Sequence, residues 1–344
     1  MIGRFSIGFL VVLIGMTMPL LLRASANDSV RIDYIPEVSG ILRMGYEYST
    51  VDDVGRFAVS NARVKLDGKV TPWAGYRLQV DFCNNGSMKV VDAYAKLTPL
   101  EKLDLYIGQE RVPFSVDASR DLKDYIFTDL SFGAQYLGNV RSVGAKAGYR
   151  FLRNRIYVEG GVFNNTPVDS KPDWSNSFTY SVKMNLATSF GLTPQICFMS
   201  RRPKDGIRYN VADLSLSWRY RRLFVEGEYI YCNYDGSAYQ DAHTYNFIVD
   251  YGFDIDRRFL SKLSIRGRFD GMTDISTGVY DDSGKIVTDH VGRKRLTGGV
   301  KLSSSYKRSS IDLHLNYQQY FYKGSKEISA SDNNRLTAML VLHF

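Results

Sequence analysis

The sequence predicts an all-β protein: a transmembrane antiparallel β-barrel, most simply of sixteen strands. Three observations predict it. An apolar leader opens the chain, period-two alternation then runs almost to Phe344, and the connections alternate between tight and long.

The leader reads as a secretory signal peptide over residues 1–26, with the barrel over 27–344. Arg4 supplies a positive start, Ile7 to Leu22 is apolar, and Ala24-Ser25-Ala26 is a small-residue cleavage site. The alternative is an uncleaved anchor, for which the apolar run is short. No Cys follows the run, so a lipid anchor is not expected. No later apolar run has the length of a spanning helix.

Charge and cysteine content exclude several classes. The whole chain has 44 Lys+Arg against 36 Asp+Glu, and Arg4 and Arg23 fall in the leader, which leaves 42 − 36 = +6. That mild excess, with no basic helix, zinc spacing or phosphate loop, argues against a nucleic-acid partner. Cys83, Cys197 and Cys232 show no Cys-x-x-Cys spacing. A Cys197–Cys232 pair is conceivable, and three packed thiols are the simpler reading. No cofactor or metal is expected, and the acidic tip Asp281 to Gly284 reads as a solvated turn. The 24 Tyr, 19 Phe and 29 Gly against 9 Pro favour β structure.

Alternation places strands near 38–48, 56–67, 73–83, 89–98, 102–110, 138–150, 154–163 and 176–188. It continues with 191–200, 208–220, 222–232, 243–254, 261–271, 293–305, 309–320 and 333–344. Fourteen or eighteen strands would fit the same pattern. Every second connection is tight, as in "KVTPW", "TPLEK", "RFLRN", "TSFG", "YRRL", "DIDRRFLS" and "SYKRS". The others are mostly longer, as in "NNTPVDSKPDW" and the run from Met272 to Gly292. Short turns at one end and long loops at the other is the layout of an outer-membrane barrel.

The two faces differ as a barrel requires. Tyr245, Phe247, Val249, Tyr251 and Phe253 alternate with Thr244, Asn246, Ile248, Asp250 and Asp254; Ile311, Leu313 and Leu315 alternate with Asp312, His314 and Asn316. The apolar sets would face lipid and the polar sets a wet lumen. A soluble sandwich would turn the apolar sets inward, and one strand alone does not separate the two. A closed barrel satisfies every backbone polar group in hydrocarbon. Tyr46, Tyr48, Trp73, Tyr76, Tyr220, Tyr229, Tyr231, Tyr320 and Tyr322 lie near strand ends and fit interface girdles. The last strand, "RLTAMLVLHF", carries Leu336, Ala338, Leu340 and Leu342 in phase with Phe344. It resembles the signal that such barrels present to their assembly machinery.

One connection stands apart. "YIGQERVPFSVDASRDLKDYIF" starts as a strand, Pro113 ends the alternation, and about 27 residues pass before the next strand, a length that is usually functional. "GQERVPFSVDASRD", Gly108 to Asp121, resembles the Gly-Gln-x-x-x-Pro-Phe segment of the phosphate-selective porin O and P family, in particular its Bacteroides-type members. "GNVRSVGAKAGYRF", "VEGGVFNNT", "RFDGMTD" and "RKRLTGGVKLS" continue the resemblance. It implies a sixteen-stranded barrel in the outer membrane, a homotrimer, passing small solutes or anions passively. It also implies that the third extracellular loop, Arg111 to Leu137 by strand count, folds inward as a constriction. A short helix is expected over Asp117 to Leu130; the rival is an exposed loop.

Parity places Arg63, Lys65, Arg77, Lys96, Lys183 and Arg219 in the lumen. It also places Lys262, Arg266, Arg268, Arg293, Arg295 and Lys301 there, on two adjacent strands that would form a basic wall in the anion path. Asp81, Asp92, Asp104, Glu110, Asp213, Glu226, Glu228, Asp250 and Asp254 take the same face. The loop candidates are Arg111, Asp117, Arg120, Asp121, Lys123 and Asp124. Acids in the loop against a basic wall give a mixed transverse field, as in general-diffusion porins. Two alternatives stay open: a non-conducting structural or interaction barrel, and an outer-membrane hydrolase using His243, His290, His314 or His343. No serine motif surrounds these histidines.

Overall fold

The computed structural model describes residues 34–166, 174–203, 206–257, 259–322 and 329–344. The expected signal peptide lies outside the described residues. Sixteen strands among the described residues form one closed ring. They are β1 (Glu37–Ser49), β2 (Val54–Thr71), β3 (Ala74–Asn84), β4 (Ser87–Leu100), β5 (Leu103–Arg111), β6 (Arg141–Phe151), β7 (Ile156–Phe163) and β8 (Thr179–Leu186). They continue as β9 (Leu192–Arg201), β10 (Tyr209–Tyr220), β11 (Leu223–Tyr234), β12 (Ala242–Arg257), β13 (Leu260–Met272), β14 (Arg293–Tyr306), β15 (Ser309–Tyr322) and β16 (Arg335–His343). Each pairs antiparallel with its sequence neighbours, and β1 pairs β16 to close the ring. All seven tight turns read from the sequence fall at one end of the barrel.

Burial decides between barrel and sandwich. Leu214, Ile265, Leu296 and Ile311 are each at least half exposed, whereas Asp270, Arg295 and Gln318 on the opposite parity are at most 1% exposed. The apolar rows face outward and the polar rows inward, the inverse of a soluble core.

Two bulges inside strands break the alternation, one in β2 and one in β4. Arg43 pairs Asn61 while Met44 pairs Val59, so Ser60 is extra in β2. Gln79 pairs Asp92 while Val80 pairs Val90, so Val91 is extra in β4. An inserted residue reverses the parity beyond it, so Val59 is exposed while Asn61, two residues on, is buried.

The lumen is not wet throughout. Phe114, Phe132 and Leu137 from the β5–β6 connection pack with Phe163, Met199, Val211, Ile230 and Cys232 from the wall. Cys83, Cys197 and Cys232 are free thiols, so the conceivable Cys197–Cys232 pair is not formed. Tyr320 and Tyr322 correct the girdle assignment. Tyr320 is only 8% exposed, and both rings lie beside Arg293 or Arg295. The parity of Asp312, His314 and Asn316 already carries them inward; nearness to a strand end is the weaker rule.

Candidate constriction and solute path

The Gly-Gln-x-x-x-Pro-Phe segment launches the connection. Gly108 sits at φ 133°, and a Cβ there would lie 2.3 Å from the carbonyl oxygen of Ala93. Gln109 fills the bulge in β4, its amide donating to the carbonyls of Val90 (2.6 Å) and Val91 (3.2 Å). Pro113 ends pairing because it has no N–H, and its carbonyl accepts from Ser181 Oγ. Phe114 is fully buried in the apolar cluster.

Beyond Phe114 the segment is held from across the ring. Ser115 Oγ and the Val116 N–H both donate to Glu228, at 2.7 and 2.8 Å. The Phe132 N–H donates to Asp270 at 3.1 Å. Arg43, Arg266, Arg268 and Arg295 donate in turn to the carbonyls of Thr128, Ile126, Asp129 and Leu130. Gln318 Nε2 donates to Asp129 at 2.8 Å. These bonds overturn the helix expected over Asp117 to Leu130. Only a 3-10 turn at Leu122–Asp124 and a π turn at Ala134–Gly138 form. Carbonyls bonded to arginines are not available to an i→i+4 ladder.

The six cations on β13 and β14 do take lumen parity, yet most are already paired. Arg295 meets Asp270 at 2.7 Å and Arg268 meets the same carboxylate at 3.6 Å. Arg266 lies 3.4 Å from Asp250, Arg293 3.3 Å from Asp332, and Lys301 2.9 Å from Asp312. Lys262 is exposed near the tight-turn end, opposite Asp254. Among the loop candidates, Arg120 bridges Asp117 and Glu226, and Asp121, Lys123 and Asp124 are exposed.

Open space lies on the other side. A cavity of about 390 Å³ is bounded by Arg43, Arg63, Arg111, Arg141 and Arg335 on the strands and by Tyr125 and Asp129 on the segment. Below it a smaller hollow is bounded by Arg63, Lys65, Asp121 and Lys123. Arg63 pairs Asp81 at 3.0 Å, Arg141 pairs Asp92 at 3.1 Å, and Arg335 pairs Asp129. Arg77 pairs Asp67 at 2.6 Å, and Lys65 shares that aspartate at 3.4 Å. Arg43 and Arg111 have only neutral partners among the described residues. Arg43 donates to Asn61 at 3.0 Å and Arg111 to the carbonyl of Arg120 at 2.9 Å. The sequence reading missed Arg43, Arg141 and Arg335. A single charge within the apolar run "GILRMGY" was the available signal, because it has only the lumen to face.

A closed ring with apolar rows outside and charged rows inside is an outer-membrane β-barrel. Residues 42–196 match the model of a family described as phosphate-selective porin O and P, the family the motifs resemble, and the protein is an outer-membrane porin. Among solved structures the chain is similar to Salmonella typhi OmpF in complex with daunomycin, with TM-score 0.63 and 11% identity over 90% of this chain and 97% of that one. It is similar also to a Vibrio cholerae OmpT lacking loop L8, with TM-score 0.61 and 9% identity over 90% and 98%. A trimer form of OmpT from the same organism gives TM-score 0.56 and 11% identity over 90% and 98%. At these identities the likeness is one of fold. No curated protein matches the chain.

Proposed function

We propose that this porin passes small hydrophilic solutes between the β5–β6 segment and the β1–β6 wall, with a preference for anions such as phosphate. One observation carries the reading: Arg43 and Arg111 border the open cavity without a carboxylate partner among the described residues. An unneutralised guanidinium beside water attracts anions and can bind phosphate oxygens bidentately. Arg266, Arg268 and Arg295 instead face the far side of the segment and hold its carbonyls, and Arg43 holds one more at Thr128. The assembly is a homotrimer, as the OmpT trimer form is. The outer wall meets outer-membrane lipid, and the β16 strand engages the barrel-assembly machinery.

The experiment is the reversal potential of the reconstituted full chain across a salt gradient, with and without phosphate. An anion-side potential that falls when Arg43 and Arg111 are neutralised supports the reading. The apolar cluster inside the barrel favours a second reading, a non-conducting barrel. Absence of any current would establish that one instead. The histidines give a hydrolase little to build on. His243 Nδ1 meets the Tyr229 hydroxyl at 2.7 Å, and His290 stacks on Tyr136.

A further inference from the structure

The outer wall formed by β13 to β16 and β1 carries, among the described residues, one departure from uniform lipid-facing chemistry. Among the described residues of β13 to β16 and β1, every outward ladder position is uncharged except Lys294. Lys294 is exposed, sits at the long-loop end of β14 between Gly271 and Phe321, and makes no ion pair among the described residues. A charge is costly on the lipid face at mid-membrane and tolerated at its rim.

Four residues along the same strand, about 13 Å at strand rise, the outward position is Gly298. It lies opposite Gly267 on β13 and Tyr317 on β15. A Cβ at Gly298 or Gly267 would meet nothing within 4 Å, so no contact inside the barrel requires glycine. Their effect is on the outside, where the missing side chains leave a trough. It opens into a groove of about 720 Å³ walled by Tyr46, Tyr48, Ile265, Leu315, Tyr317 and Leu336. Leu296 lies between the groove and Lys294 on the same outward row.

We propose that this groove binds a phosphorylated lipid of the outer leaflet. Its phosphate sits on Lys294 Nζ and one acyl chain lies over Leu296 and Gly298 between Tyr317 and Leu336. Charge complementarity selects this occupant. An uncharged acyl surface has no use for the lysine, while a lipid phosphate at rim height meets the only outward cation among the described residues of these strands. The long-loop end of a porin barrel faces outward, so the leaflet is the outer one.

The test is native mass spectrometry of the full chain in detergent micelles with added diphosphorylated lipid A, and with the same lipid dephosphorylated. Lys294→Gln removes the charge and Gly298→Leu fills the trough; Lys307→Gln, on the tight turn at the opposite end, is the control. Heat-modifiable gel mobility verifies that each barrel is folded. The proposal expects a lipid-bound peak for wild type and Lys307→Gln, reduced at least five-fold in Lys294→Gln and in Gly298→Leu. Dephosphorylated lipid should bind wild type no better than Lys294→Gln. Equal occupancy in wild type and Lys294→Gln overturns the proposal. So does a Gly298→Leu variant that loses its oligomer while keeping its lipid, which would assign the groove to a second copy of the chain.

Discussion

Arg295 Nη2 donates to the carbonyl of Leu130 at 2.8 Å, joining residues 165 positions apart. The same guanidinium pairs with Asp270, and both side chains are at most 2% exposed. This arginine therefore serves as a clamp on the β5–β6 segment. Replacing it by Gln leaves Asp270 buried with one partner fewer, a loss on the order of 3–5 kcal/mol for a broken buried pair. Arg295→Gln should make single-channel current noisier and expose residues 115–130 to protease; unchanged current and protection would remove the clamp.

Gly108 offers a test of the segment's launch point. Its φ of 133° and the nearby Ala93 carbonyl leave no room for a side chain. Gly108→Val should destabilise the barrel by about 1–3 kcal/mol, the cost of a strained backbone position. Urea unfolding followed by gel mobility measures it, and a midpoint equal to wild type would count against the argument.

The ring closes between Gly40 and Phe344, whose backbones exchange N–H···O bonds at 2.8 and 3.1 Å. Deleting Phe344 removes both bonds and an outward aromatic that is 53% exposed. The yield of folded, heat-modifiable barrel should fall several-fold. An undiminished yield would show that neither closure nor assembly needs this residue.

His290 lies in the loop between β13 and β14 and stacks on Tyr136 with ring centroids 3.8 Å apart. Burial, then the Arg293 charge, lower its pKa below the usual histidine value, while Asp289 and Asp332 act the other way. The neutral ring is thus favoured in the folded loop. The released loop binds the proton more readily, so the stacking is fully stable above about pH 6.5 and weakens as pH falls through that value. The protection factor of the Ile275 amide, whose N–H donates to the His290 carbonyl at 2.8 Å, should fall on acidification once the intrinsic exchange rate at each pH is divided out. In His290→Phe that loss of protection should vanish; its persistence would assign the pH effect elsewhere.

The strands were legible because parity survives in the residues themselves. Leu313 and His314 cannot exchange faces without putting an imidazole into lipid, and all seven tight turns follow from that constraint. The bulges at Ser60 and Val91 were not legible, since an extra residue leaves no mark of its own in a short alternating run. The candidate site divides the same way. Arg266, Arg268, Arg293 and Arg295 could be assigned to the lumen one strand at a time. That Arg266, Arg268 and Arg295 grip the carbonyls of Ile126, Asp129 and Leu130, while Arg293 reaches the Tyr136 hydroxyl, depends on which wall the segment crosses to, and no local pattern encodes it. Arg43 and Arg111 matter for what they lack among the described residues, a carboxylate in direct ion pair, which is a property of the assembled ring.

The central claim is an open water path whose charge is set by Arg43 and Arg111. Reversal potential across a tenfold potassium chloride gradient tests it most directly, comparing wild type with Arg43→Gln/Arg111→Gln and with Lys262→Gln. The account predicts steady current with an anion-side potential, shifted toward cations in the double variant and unchanged in Lys262→Gln. A silent barrel, or a potential that the double variant leaves in place, would contradict it.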